Sequence, residues 1–207
     1  APDNVPYALP GWMSPDGILE RLKQDPEAGN RALQQTPYTP LQDPHGLNLR
    51  TYQVQAVQAA EQAIMAGARA VLLAMATGTG KTRTILGLLY RLLEAGRFRR
   101  ALLLVDRTAL GSQALDVFQE VKLKKGLPLA GIYSLMGLEG RTPERETRLQ
   151  VATVQGMVQR LFYHRGESMP AVTDYDLIVV DEAHRGYLLD QERPEEEALY
   201  RDQRDYQ

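Results

Sequence analysis

The chain has 207 residues, enough for one domain of ordinary size with an appendage and too few for a large multidomain enzyme. Apolar residues make up 43% and charged residues 24%, which excludes global disorder; the net charge of -2 means that any nucleic-acid contact must rest on local basic groups. The chain has no cysteine, which excludes a disulfide framework or Cys-ligated metal and favours a reducing, cytoplasmic setting, while its apolar runs fall short of the about 20 residues that cross a bilayer.

Eight of the twelve prolines fall within the first 44 residues, so residues 1–46 are expected to be a Pro-rich arm or linker and not sheet core. Short helices fit there, since Ser14-Pro15 and Asp25-Pro26 each place a capping side chain before a proline suited to the first helical turn. The rhythm changes after Leu47. An Ala-rich helix is expected over Thr51 to Ala66, closed by Gly67, then a buried strand over Val71 to Ala76. A helix follows from Lys81 to Ala95, with Leu86, Leu89, Leu92 and Leu93 at helical spacing, and Gly96 ends it. Beyond lie a strand at Ala101 to Val105, a helix near Ala109 to Lys122, and weak strands near Leu129 to Tyr133 and Leu149 to Thr153. A helix near Val154 to Phe162 and a strand at Leu177 to Val180 complete the pattern. Strands alternating with helices predict an α/β fold with a parallel sheet, whose ligands bind at the carboxyl ends of the strands. The chemically suggestive segments, Thr77 to Thr82, Asp106 to Leu110, Thr153 to Gln155 and Asp181 to His184, all follow expected strands.

Thr77-Gly78-Thr79-Gly80-Lys81-Thr82 lies between an expected strand and helix, the context of a phosphate-binding loop. Glycines let backbone N–H groups approach phosphate oxygens at a helix N-terminus, Lys81 has the reach for β and γ phosphates, and Thr82 offers a hydroxyl to Mg²⁺. Met75 stands where the generic pattern has its first glycine. Asp181 and Glu182 end an apolar strand, where folding alone does not call for two adjacent carboxylates. A nucleotide hydrolase uses one to hold the metal and the other to position the attacking water. A chance lysine in a glycine turn and an acidic turn after a strand are the plainer alternatives.

Together these motifs resemble the first RecA-like motor domain of superfamily-two helicases and translocases. The strings Met75 to Thr84, Leu104 to Arg107, Val151 to Met157 and Val180 to Tyr187 are similar to the motor (R) subunit of type I restriction enzymes. The resemblance covers about residues 47 to 190 and leaves 191–207 as an acidic extension. It implies ATP and Mg²⁺ as cofactors, with Lys81, Asp181 and Glu182 catalytic and Thr82 and Asp181 on the metal. Gln53 would contact adenine, beside Thr77, Gly78, Thr79, Gly80, Lys81 and Thr82 on the phosphates. Arg107, Thr108 and Thr153 would hold a nucleic-acid backbone, and His184 would couple the two sites. The implied partners are duplex DNA, a second RecA-like domain and a nuclease domain in the same parent chain, and methylation and specificity subunits; no membrane is implied. An RNA helicase or chromatin-type remodeller, a non-catalytic nucleotide-binding module and a kinase are the rivals.

Other charged residues read as structural. Arg97, Arg99 and Arg100 precede a strand and are expected in a solvated turn; Lys122, Lys124 and Lys125 suit a helix C-terminus. Pro15, Asp16, Glu20 and Lys23 echo a nuclease motif, but the Asp and Glu are too close and the Glu-Lys spacing too long by one.

Overall fold

The computed structural model describes residues 19, 22–140, 143–163 and 174–183. Its helix α1 (Pro26–Gln35) begins where a capping aspartate precedes a proline: Asp25 accepts the Ala28 N–H at 2.9 Å and Pro26 opens the helix. Helices α2 (Thr51–Met65) and α3 (Lys81–Glu94) are followed by Gly67 at φ 91° and Gly96 at φ 66°, left-handed conformations that glycine adopts without a Cβ penalty. Then come β1 (Ala101–Val105), α4 (Thr108–Glu120), a four-residue α5 (Leu129–Ile132), β2 (Ser134–Met136), β3 (Thr147–Thr153), α6 (Val154–Val158) and β4 (Leu177–Val180).

The four strands form one sheet in the order β2-β3-β1-β4, with each neighbouring pair parallel. This is a RecA-like α/β domain, a parallel sheet flanked by helices. Val105 is in register with Thr153, and Leu104 with Val180, so the segments leaving β1, β3 and β4 emerge on one edge. The strand alternation splits the core. Ala101, Leu103, Val105, Leu149 and Val151 pack with α2 and α3 through Val57, Leu86 and Leu89, whereas Leu102 and Ala152 face a smaller cluster with Met157 and Tyr175. Coverage of that second face thins at β4, where Ile178 and Val180 are exposed.

Four expectations from the sequence change. Val71 to Ala76, expected to be a buried strand, has no ladder partner among the described residues; Leu73 packs against the core while Leu72 is 83% exposed. An apolar run gives burial potential, but a strand needs a neighbour to take its backbone hydrogen bonds. Leu129 to Tyr133 is α5 instead of a strand: the Gly131 and Ile132 N–H groups donate to Pro128 O at 2.9 and 3.1 Å, and the strand follows at Ser134. The helix after β3 passes from α6 into a π-helical turn over Gln159–Tyr163. Arg100 is buried, not solvated. Its guanidinium donates to Thr147 O (2.6 Å), Glu144 O (2.6 Å), Arg145 O (3.1 Å) and Asp174 O (3.3 Å), closing the amino edge of the sheet, and burial pulls its pKa down. Beside it, Asp176 accepts the N–H groups of Arg99 and Arg100 at 2.7 and 2.8 Å.

The Pro-rich segment also supplies core. Leu33 and Leu41 are as buried as Leu47 and Leu49, and all four belong to the main apolar cluster.

Candidate nucleotide-binding site

Residues 76–80 make a tight loop into α3. The Thr79 hydroxyl donates to Ala76 O at 2.6 Å, and Gly78 and Gly80 take φ values of 78° and 81°. At Gly78 a Cβ would meet nothing within 4 Å, so the backbone conformation alone calls for glycine. At Gly80 the space is also taken: a Cβ would lie 2.6 Å from Gln53 Nε2. Thr77 is exposed, and Lys81 and Thr82 are half-buried in the first turn of α3.

The second half of the site hangs from β4. Asp181 is tied to the neighbouring strand by its N–H, which donates to Leu104 O at 2.9 Å. Glu182 follows with φ 52°, uncommon for a residue with a side chain, and its N–H donates to Asp181 Oδ1 at 2.9 Å. This turn brings the Glu182 carboxylate onto Lys81 Nζ, an ion pair between groups 101 residues apart. The lysine of the glycine loop and the acidic pair therefore converge at the carboxyl edge of the sheet, as the motifs predict. Sequence pattern gave no sign of the left-handed backbone at Glu182.

Gln53 lies against the glycine loop. The residue is 4% exposed and its amide is engaged by the protein: Oε1 accepts the Arg50 N–H at 2.7 Å, while Nε2 donates to Thr79 O and Gly80 O, both at 3.1 Å. The adjacent Tyr52 hydroxyl donates to Thr79 O at 2.8 Å. The hydroxyl contact of Tyr52 has no sequence signature, because a loop contact made from a helix N-terminus has no fixed spacing from the loop.

Along the same edge, Arg107 is exposed and its Nε lies 3.6 Å from the buried Asp106 carboxylate, at the start of α4. Thr108 is the first residue of that helix and is exposed. Thr153 ends β3 and caps α6, its hydroxyl accepting the Gly156 N–H at 3.0 Å. His184 lies outside the described residues, as do Pro15, Asp16 and Glu20.

Residues 46–195 match the ResIII family, described as "Type III restriction enzyme, res subunit". The chain belongs to this family. It is 45% identical to the type I restriction enzyme EcoKI endonuclease subunit of Escherichia coli strain K12 over 203 residues, which is 98% of this chain and 17% of that protein. It is 33% identical to the type I restriction enzyme EcoAI endonuclease subunit of Escherichia coli over 144 residues, 70% of this chain and again 17% of the relative. The chain thus spans about a sixth of the length of these two relatives. Among the described residues of this ResIII domain, no helix is long and apolar enough to cross a membrane.

Proposed function

We propose that this ResIII domain is the ATP-binding motor domain of an ATP-dependent DNA translocase of the type I restriction endonuclease R-subunit kind, coupling ATP hydrolysis to movement along duplex DNA. The observation that carries the reading is the meeting of Lys81 and Glu182 at the carboxyl edge of the parallel sheet. In this reading the loop N–H groups of residues 77–82 and the Lys81 ammonium bind the triphosphate. Thr82 and Asp181 offer a hydroxyl and a carboxylate, hard oxygen donors suited to Mg²⁺, on two segments that the Lys81–Glu182 pair draws together. They would hold that ion, which when bound offsets the charge of the β and γ phosphates. Glu182 releases Lys81 to the phosphate and then orients a water for attack, accepting its proton.

The nucleic-acid contacts are assigned to the same edge. Arg107, with its exposed guanidinium, Thr108 at a helix N-terminus and Thr153 are suited to phosphates of a DNA backbone, and such contacts carry no sequence information. His184 is assigned to coupling between the nucleotide and DNA sites. The length of the relatives favours a parent chain that also carries a second RecA-like domain and a nuclease, acting with methylation and specificity subunits inside the cell.

Phosphate release by the full-length protein tests the reading. It is expected to depend on Mg²⁺, to rise with duplex DNA and not with RNA, and to vanish in Lys81→Ala. Stimulation by RNA alone would favour an RNA helicase, a phosphorylated product a kinase, and no turnover under any condition a nucleotide-binding module without catalysis.

A further inference from the structure

The turn after β2, residues 137–140, is tied to the segments that leave both β1 and β3. On one side the Leu138 side chain lies against α4: a Cβ at Gly111, in the first turn of that helix, would meet Leu138 Cδ2 at 2.6 Å, so glycine makes room for the leucine. β3 lies between β2 and β1 in the sheet, and this contact therefore reaches across it. On the other side Arg160, in the π-helical turn after α6, donates from Nη2 to Leu138 O at 2.6 Å. A Cβ at Gly156, whose N–H Thr153 caps, would lie 4.0 Å from the same Nη2, so the guanidinium runs beside the segment leaving β3. A third tie comes from inside the sheet. Gln150 of β3 is fully buried; its Nε2 donates to Gly140 O at 3.0 Å, and its Oε1 accepts the Tyr175 hydroxyl. Burying an amide in a strand is favourable only with its partners made, and the partner on its donor side is the turn.

We infer that the turn at residues 137–140 is a staple that fixes the spacing between Arg107 and Thr108 after β1 and Thr153 after β3, and that Arg160 is its positioning residue. The inference rests on the assignment of those three residues to a DNA backbone and deepens it. Phosphates along a strand are regularly spaced, so groups on separate segments grip them together only when their own spacing matches. A spacing set before DNA arrives avoids the cost of ordering those segments on binding. Arg160 acts through the Leu138 carbonyl and holds no phosphate itself.

Titration of a fluorescently labelled DNA duplex with the full-length protein tests this in Arg160→Met, Arg160→Lys and Leu138→Ala, at several salt concentrations. Leu138→Ala releases the α4 side without changing any charge, so it decides the matter where Arg160→Met fails to fold. The staple predicts that Arg160→Met and Leu138→Ala each weaken duplex binding by about threefold to tenfold. Arg160→Lys recovers part of the loss, because an ammonium can still donate to Leu138 O. The slope of log affinity against log salt stays at its wild-type value in all three, whereas loss of a phosphate ligand would make it shallower by about one. In DNA-stimulated ATP hydrolysis the effect falls on the KM for duplex, with kcat at saturating duplex and ATP affinity without DNA as in wild type. Wild-type duplex affinity in either Arg160→Met or Leu138→Ala overturns the inference, and so does a shallower salt slope in Arg160→Met, which would make Arg160 a phosphate ligand. Wild-type protein that binds no duplex would instead remove the DNA reading, and the role of the staple with it.

Discussion

Lys81 Nζ and the Glu182 carboxylate form an ion pair in which both side chains are about four-fifths buried, joining the first turn of α3 to the turn after β4. In the proposed function a triphosphate must compete with Glu182 for the same ammonium. Glu182→Gln weakens that competition while removing the group assigned to the attacking water. The variant is expected to bind ATP at least as tightly as wild type and to release phosphate about 10²- to 10⁴-fold more slowly. Nucleotide titration alongside a phosphate-release assay checks both halves, and turnover at the wild-type rate would remove Glu182 from the chemistry.

Arg91 is expected to be the most costly single residue to replace away from the site. Its Nε and Nη2 lie 2.5 and 3.0 Å from the two Glu61 oxygens, and its remaining N–H groups donate to Leu33 O, Thr36 O and Pro37 O at 3.0 to 3.2 Å. Its Cζ lies 3.9 Å from the Tyr38 ring centroid. With Glu61 fully buried, Arg91→Ala strands a carboxylate in the core and is expected to cost about 3–5 kcal/mol in urea unfolding. Arg91→Lys should recover little, because an ammonium cannot span a carboxylate and three carbonyls at once.

The same cluster sets an alkaline limit. Burial, with the hydrogen bond to Glu61 second, raises the Tyr38 pKa from 10.0 to about 12. Below about pH 10 both folded and unfolded Tyr38 are protonated and its contribution is intact. As pH climbs from there toward 12, the unfolded chain loses the proton first and stability drains away. Tyr38→Phe is expected to flatten this fall, even though it lowers stability at neutral pH. Unfolding midpoints measured across that window decide it, and an unchanged slope would exclude Tyr38 as the titrating group.

At acid pH the group to watch is Glu94. Its hydrogen bond from Lys124, with a second from the Tyr133 hydroxyl at 2.8 Å, holds the carboxyl below its usual value despite partial burial. The stability it lends is complete above that usual value and is lost as pH falls through the lowered folded one. Glu94→Gln is therefore expected to be less stable than wild type at neutral pH and to converge with it under acid, as read from urea midpoints at successive pH values. Parallel curves would rule the carboxylate out as the source.

The α/β class with a parallel sheet was legible in the sequence, as was the convergence of Lys81 with the acidic segment after β4; several local elements were not. The meeting of Lys81 with Glu182 was readable because a glycine loop opening a helix and an acidic pair ending an apolar strand are short-range patterns. Glycine and the Asp25-Pro26 cap marked helix ends for local steric reasons. What could not be read depends on partners distant in the chain. Val71 to Ala76 has strand composition and no ladder, and Arg100 looks like a surface arginine until the carbonyls of residues 144, 145, 147 and 174 surround it. Gln53 shows both sides: its position in the motif was visible, but not that its amide would be turned onto the loop.

The placement of Leu33 and Leu41 within the main apolar cluster bears on how the domain can be cut for expression. A recombinant piece starting at residue 47 would include the glycine loop and the acidic pair, yet it would open a greasy trench along α3 and remove Tyr38 and the three carbonyls that Arg91 binds. Such a piece is expected to be poorly soluble, and a start ahead of Asp25 is the sounder boundary for crystallisation or binding work.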